Sequence, residues 1–353
     1  MLYPLFFEPL HKERIWGGSA LSEKYKRDLG GRRIGESWEI SCHEHGTSRI
    51  ISGPLKGLSL PDAILRYGKD LLGSGIYNEG YRKFPLLIKI LDAADVLSVQ
   101  VHPDDQYSMA NENGESGKTE MWYVIDAKPG ARLVYGLKPG VDADAFERAI
   151  NEGRLRDCLN ELEVEAGDVV YIPAGMVHAI GEGILICEIQ QNSDTTYRVY
   201  DWDRVDANGQ PRELHLRKAL DVIDYNSRYA RGKLAGLELR EDGGIRTIYA
   251  ACDYFAMEKL TISGRMSLFM DGRRFQTLTC IEGSGEIIYE GGRARLEQGS
   301  SCLMPAVIDE FDIKGNCTAI RAYVPDKAEN IIKPLLAKGF GRDDLKKIAG
   351  LLD

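Results

Sequence analysis

Apolar and polar positions along this chain change over in short runs. The stretches 84–91, 96–101, 119–126, 132–135, 168–172 and 184–190 are rich in β-branched, aromatic and other apolar residues. Gly, Pro, Asn and Asp separate them at short intervals, which predicts strands joined by tight turns. Strands without regularly alternating helices predict a mainly β fold, an antiparallel barrel or jelly roll. Helical spacing interrupts the pattern in three places. Residues 61–72 carry Ile64, Leu65, Leu71 and Leu72 behind a proline at an acceptable first-turn position. Residues 142–159 carry Phe146, Ile150 and Leu155 on one face, with Gly153 dividing them into two short helices, and 217–225 predicts another.

Past residue 235 the strand pattern restarts and weakly repeats the first. Gly167-Asp168-Val169-Val170-Tyr171-Ile172-Pro173-Ala174, leading to His178, parallels Gly299-Ser300-Ser301-Cys302-Leu303-Met304-Pro305-Ala306, leading to Asp309-Glu310. Counted from each glycine, Glu310 falls at the place of His178. From 326 onward Ile331, Ile332, Leu335, Leu336, Leu345, Ile348 and Leu351 return to helical spacing, with two short helices expected around Gly339-Phe340-Gly341. The expected division is therefore 1–235 with the helical insertions, 236–325 as a second β module, and 326–353 as a helical extension.

The candidate chemistry lies in the first of these. Side chains two apart on a strand share a face, so Ser98, Gln100 and His102 project together, as do Lys118 and Glu120 on their own strand. A third strand, after the Pro173-Ala174-Gly175 turn, would bring His178 opposite them. Two imidazole nitrogens, one carboxylate and one amide oxygen suit Zn²⁺ with a position left open for substrate or water. Singly, each residue has an ordinary reading: His178 as a hydrogen-bonded core histidine, Glu120 as a solvated strand residue. The shared facing argues for the set, because buried Glu and His without partners are costly. The upstream Gln-x-His pair has no counterpart near 273–290, so the second module lacks most of such a site.

These segments carry a resemblance. Residues 98–105, Gly117 to Trp122, Gly167 to Ala179 and Gln191-Asn192-Ser193-Asp194-Thr195-Thr196-Tyr197-Arg198 resemble the type I mannose-6-phosphate isomerases, the short bacterial branch most closely. Ile15-Trp16-Gly17-Gly18, Gly35-Glu36-Ser37-Trp38 and Tyr200-Asp201-Trp202-Asp203-Arg204 also fit. The likeness is continuous over about the first 220 residues and weaker beyond. It implies two cupin barrels, the second degenerate, and one zinc ion per chain held by Gln100, His102, Glu120 and His178. It also implies an active-site role for Arg198, and a substrate site lined by Ser98 and Lys118. Trp16, beside two glycines that permit close backbone approach, is a further candidate for substrate contact, whereas Trp38 reads as core. The extension after 325 departs from the short bacterial isomerases.

Composition narrows the picture. With 353 residues, 43% hydrophobic and 28% charged, the chain can bury a sizeable core without staples. No apolar run approaches the roughly 20 residues of a membrane span, and the first seven residues lack a signal-peptide pattern, so a cytoplasmic protein is expected. Its seven cysteines are scattered, without a Cys-x-x-Cys pair, and read as small buried apolar residues. A net charge of −9 argues against nucleic-acid or acidic-membrane partners. An anionic sugar phosphate then needs local cations: Lys118 and Arg198 stand nearest the candidate metal, while Arg204 and Arg217 read as ordinary rim charges. Whether the chain is a monomer or a homo-oligomer is left open.

The chemistry implied is aldose–ketose isomerisation of mannose 6-phosphate and fructose 6-phosphate through a cis-enediolate. Always protonated, Arg198 is a poor base, and Glu188, Asp194 or a metal-bound water are the alternatives for proton transfer. Two rival readings exist. Another metal-dependent cupin enzyme would favour three His and one Glu, against which Gln100 stands. A non-catalytic sugar-phosphate-binding cupin is suggested only by the helical tail, and the retained Arg198, Lys118 and ligand set oppose it.

Overall fold

The computed structural model describes residues 2–205, 209–226 and 231–352. They form two compact units, one of residues 11–37 and 90–233, the other of 1–10, 38–89 and 234–353. The grouping follows contacts rather than sequence order, so the segments around 1–10 and 38–89 cluster with the C-terminal β module. Residues 1, 206–208, 227–230 and 353, which fall within the expected segments 1–235 and 326–353, lie outside the described residues.

The unit built around 90–233 is an antiparallel two-sheet sandwich. One sheet runs in the order Leu159–Glu163, Arg132–Leu137, His178–Ile180, Val99–Val101, Tyr197–Tyr200. The other begins Val169–Ile172, Glu120–Ala127, Ile184–Gln191, Leu86–Ala93. Alternating side chains from both fill the space between: Leu133, Tyr135 and Ile180 from the first meet Trp122, Val124, Val170, Ile172 and Ile186 from the second. Helices Ala143–Asn151 and Leu216–Val222 cover the opposite face of the five-stranded sheet, packing Phe146 and Ala219 with Val99, Val101, Val134 and Tyr197. Asp142 caps the first of these helices through the Ala145 amide, and the helix stops before Gly153, as the pattern predicts.

The other unit carries an eight-stranded antiparallel sheet whose central strands, Ala256–Phe269, Gln276–Tyr289 and Glu310–Tyr323, are each 14 residues long. A register shift between Cys280 and Glu282 interrupts the ladder of Gln276–Tyr289 with Glu310–Tyr323. Gly283 follows at φ 70°, where a Cβ would stand 2.2 Å from the Asn316 carbonyl oxygen. Leu260, Leu278, Ile287, Leu296, Phe311 and Ile313 form the enclosed apolar cluster.

The expected repeat is visible bond for bond. In the first module Gly167 N donates to Val124 O, Val124 N to Asp168 O and Met176 N to Pro173 O. In the second, Gly299 N donates to Cys280 O, Cys280 N to Ser300 O and Ile308 N to Pro305 O. Strand register agrees, with Ile172 opposite Glu120 and Met304 opposite Gln276. Gln276 thus takes the place of Glu120, and Arg274 that of Lys118.

The pattern at 61–72 resolves into Leu60–Tyr67 and Lys69–Leu72, divided at Gly68, followed by Ser74–Asn78. Ile64, Leu71 and Leu72 are buried as expected, but Leu65 is 87% exposed. One residue past Ile64 is about 100° around the helix, which carries Leu65 off the inner face. The tail folds as Lys327–Ile332, Lys333–Ala337 and Arg342–Leu345. Ile331, Leu335, Leu345, Ile348 and Leu351 are buried against Leu237, Leu239, Ile248 and Tyr323.

Candidate metal centre and active site

Three strands of the sandwich converge on one buried point. His178 lies opposite Gln100 in the ladder, and Glu120 opposite Gln190. His102, Glu120 and His178 are buried, with ligand-capable atoms all within 4.8 Å of one another. His102 Nε2 stands 3.2 Å from Glu120 Oε1, and His178 Nε2 3.9 Å from Glu120 Oε2. The Met176 carbonyl oxygen lies 2.8 Å from His178 Nδ1 and accepts its proton, leaving the Nε2 lone pair facing inward.

Electrostatics set the protonation states that a metal requires. Burial, with the Lys118 ammonium adding to it, lowers the His102 pKa to about 3, and burial also lowers that of His178. Burial works to raise the Glu120 carboxyl, but Lys118 and His102 more than offset it and hold the group well below its usual range. The result is two neutral imidazoles beside an ionised carboxylate, the form in which these groups ligate. Glu120 Oε1 faces His102 Nε2 and the Lys118 ammonium inside the cluster. This donor set fits a divalent metal.

Gln100 differs from expectation in orientation. Its Nε2 lies 3.3 Å from His178 Nε2, while its Oε1 accepts from Ser98 Oγ at 3.4 Å. An imidazole lone pair attracts an N–H donor, so the amide presents nitrogen; a half-turn about its last torsion presents the oxygen expected of a ligand. Lys118 is buried with its Nζ 3.0 Å from Glu120 Oε1 and 3.3 Å from His102 Nε2, against the ligand atoms themselves. Arg198 reaches the same region through Ser98, donating from Nε to Ser98 Oγ at 3.3 Å and from Nη1 to Glu213 O at 2.8 Å. Burial, and then Arg212, lowers its pKa.

Trp16, 4% exposed, lies in the apolar cluster with Leu91, Leu97 and Trp122. Arg204 is committed to Asp201 and Asp95. One contact escaped the sequence reading, the Met176 carbonyl behind His178. Trp122, two residues after Glu120 on the same face, sends its indole N–H to both Glu120 and Glu188.

With this geometry in view, comparison with known proteins is decisive. Residues 5–125 match the family "Phosphomannose isomerase type I, catalytic domain", and 245–324 match "Mannose-6-phosphate isomerase, cupin domain". The chain is 41% identical over 318 residues to the probable mannose-6-phosphate isomerase GmuF of Bacillus subtilis, covering 90% of this chain and 98% of that protein. The chain belongs to the type I phosphomannose isomerases. The mannose-6-phosphate isomerase of Streptococcus mutans is 37% identical, covering 92% of this chain and 99% of that one. The crystal structure of mannose 6-phosphate isomerase from Bacillus subtilis matches with a TM-score of 0.84 at 37% identity, over 91% of this chain and 99% of that one. The mainly β fold expected from the strand pattern is accordingly that of the cupin-containing phosphomannose isomerases. No helix among the described residues is long and apolar enough to cross a membrane.

Proposed function

We propose that this isomerase interconverts mannose 6-phosphate and fructose 6-phosphate at one zinc ion held by Gln100, His102, Glu120 and His178. The observation that carries this reading is the buried trio His102, Glu120 and His178, with its charge states already suited to a metal. When bound, the metal supplies a Lewis acid that lowers the cost of negative charge as a proton leaves the carbon beside the carbonyl. A carboxylate of the chain, Glu188 or Asp194, takes that proton and returns it to the neighbouring carbon, while other groups orient and stabilise. Lys118, buried at 3.0 Å from Glu120, keeps a positive charge facing the sugar oxygens. Arg198, always protonated, offers a planar fork to two oxygens of the cis-enediolate, and Ser98 fixes the direction of that fork at 3.3 Å. Trp16, beside Gly17 and Gly18, is assigned to the substrate site.

The chemistry is assigned to residues 1–235, with packing and enclosure assigned to 236–325 and 326–353. A cytoplasmic location suits seven buried cysteines scattered through the chain without a Cys-x-x-Cys pair. A coupled assay of fructose 6-phosphate formation, run beside metal analysis of the purified protein, tests the whole reading. One zinc equivalent and turnover that disappears on chelation are expected. Full activity in metal-free protein overturns the zinc assignment, and a zinc-loaded protein inert toward mannose 6-phosphate overturns the substrate.

A further inference from the structure

The indole of Trp122 is fully enclosed, and its single N–H faces two carboxylates. Nε1 lies 3.0 Å from Glu120 Oε2 and 2.9 Å from Glu188 Oε2. Strand register produces this meeting: Glu188 is directly opposite Trp122, and Glu120 lies two residues from Trp122 on the same face. The ring also stands edge-on to His178, with centroids 5.4 Å apart and planes at 76°. One side chain thus touches the carboxylate and one imidazole of the candidate metal centre.

The two oxygens of Glu120 are consequently unlike. Oε2 is tied to the indole, while Oε1 is turned to Lys118 Nζ at 3.0 Å and His102 Nε2 at 3.2 Å, on the side of the ligand cluster. A carboxylate held by one oxygen offers the other in a fixed direction, whereas a free carboxylate rotates or chelates with both. In the second β module the position of Trp122 is taken by Leu278. There the residue opposite Met304 is Gln276, and no carboxylate stands in need of such a donor.

We propose that Trp122 is a positioning residue of this enzyme: its N–H reserves Glu120 Oε1 for the metal and its ring edge fixes the plane of His178. It touches no reacting atom. The inference rests on the metal-dependent reading above, and its test separates the two. Trp122→Phe keeps an aromatic ring and removes the N–H. Replacement by β-(3-benzothienyl)alanine keeps the full bicyclic shape and also removes it, which covers the case in which the phenylalanine variant folds poorly. Metal affinity is measured by competition with a chromogenic chelator, and ligand geometry by the visible bands of the Co²⁺-loaded protein. Both variants are expected to lose about tenfold or more in metal affinity, to shift the cobalt bands, and to lose kcat about 10–100-fold with KM within about twofold. A benzothienyl variant with wild-type affinity, bands and kcat overturns the proposal. A wild-type protein that binds neither Zn²⁺ nor Co²⁺ overturns the metal reading instead.

Discussion

The two β modules share a turn and a register, yet among the described residues only the first gathers a buried His–Glu–His cluster there. In the first, the strand pair carrying Glu120 and the Pro173-Ala174 turn keep their backbone donors within the module: Ala174 N donates to Thr119 Oγ1 and Gly175 N to His102 O. The corresponding donors of the second are taken by the last turn of the first helical insertion, Lys69–Leu72. Phe275 N, Ala306 N and Val307 N donate to Leu72, Leu71 and Asp70 carbonyls. Gly73 permits this approach, since at φ 102° a Cβ there would lie 2.2 Å from Arg273 O. The second module is stopped at this turn by its own chain, whereas the first bonds back on itself.

Their buried carboxylates differ in the same sense. Glu258 is met by Arg246 through both oxygens at 2.8 and 2.7 Å and by Tyr323 Oη at 2.8 Å. Glu120 faces two neutral imidazoles, the Lys118 ammonium and the Trp122 N–H, with no guanidinium across both its oxygens. A buried charge whose valences are filled is a structural element, whereas one left partly open at a cluster of ligands marks chemistry.

The contrast breaks first at the ligands. His102→Ala and His178→Ala should each lose both bound metal and activity, by more than about 100-fold, since the loss of a direct ligand exceeds that of a supporting contact. Metal content and turnover measured on the same preparation check this. Arg198→Lys should keep fold and metal while turnover drops about 10²–10³-fold, because the charge stays and the two-pronged geometry goes. Wild-type kinetics in that variant would remove Arg198 from the mechanism.

In the second module the expected effects are on stability. Glu258→Gln should destabilise by about 3–5 kcal/mol, the cost of breaking a buried ion pair from one side. The pH dependence follows from the same group. Burial tends to raise its pKa, but Arg246 and Arg321 outweigh it and hold the carboxyl at about 2, against an ordinary 4.5. Because the folded pKa is the lower one, the unfolded chain binds the proton first on acidification. This contribution is fully present above pH 4.5 and is lost as pH falls through about 2. Acid titration of unfolding in wild type and Glu258→Gln should converge at the acid end of that window; parallel curves throughout would remove the group from acid stability.

Truncation after residue 325 removes five buried aliphatic side chains, each worth about 1.5–3 kcal/mol, so the second module should lose stability while any folded fraction retains its KM. Thermal unfolding with Michaelis analysis decides it, and a collapse of kcat in folded, metal-loaded truncated protein would make the tail part of the active site. Smallest of all, Glu310→Gln should change metal content and turnover by less than about twofold, since Glu310 is exposed at the start of its strand and one carboxylate makes no site.

Much of this was legible in the chain. Strand periodicity located Leu86–Ala93, Glu120–Ala127 and Ile184–Gln191 to within a few residues, because side chains on a pleated strand must alternate between core and solvent or between two cores. The same parity put Ser98, Gln100 and His102 on one side and marked Glu120, while Gly167 and Gly299 disclosed the repeat. Periodicity is a local property and survives without knowledge of the fold.

Other features depended on pairs of residues far apart in sequence. That the helical insertion stops the second module, that Gln100 turns its nitrogen to His178, that Leu65 points outward, and that Trp122 stands between Glu120 and Glu188 follow from register and packing. Those are set by the competition of the whole chain for buried space and hydrogen-bond partners. Residue type and spacing determined which groups were available for chemistry; the tertiary structure decided which of them keep an unsatisfied valence, because only the folded chain determines where each backbone and side-chain partner is spent.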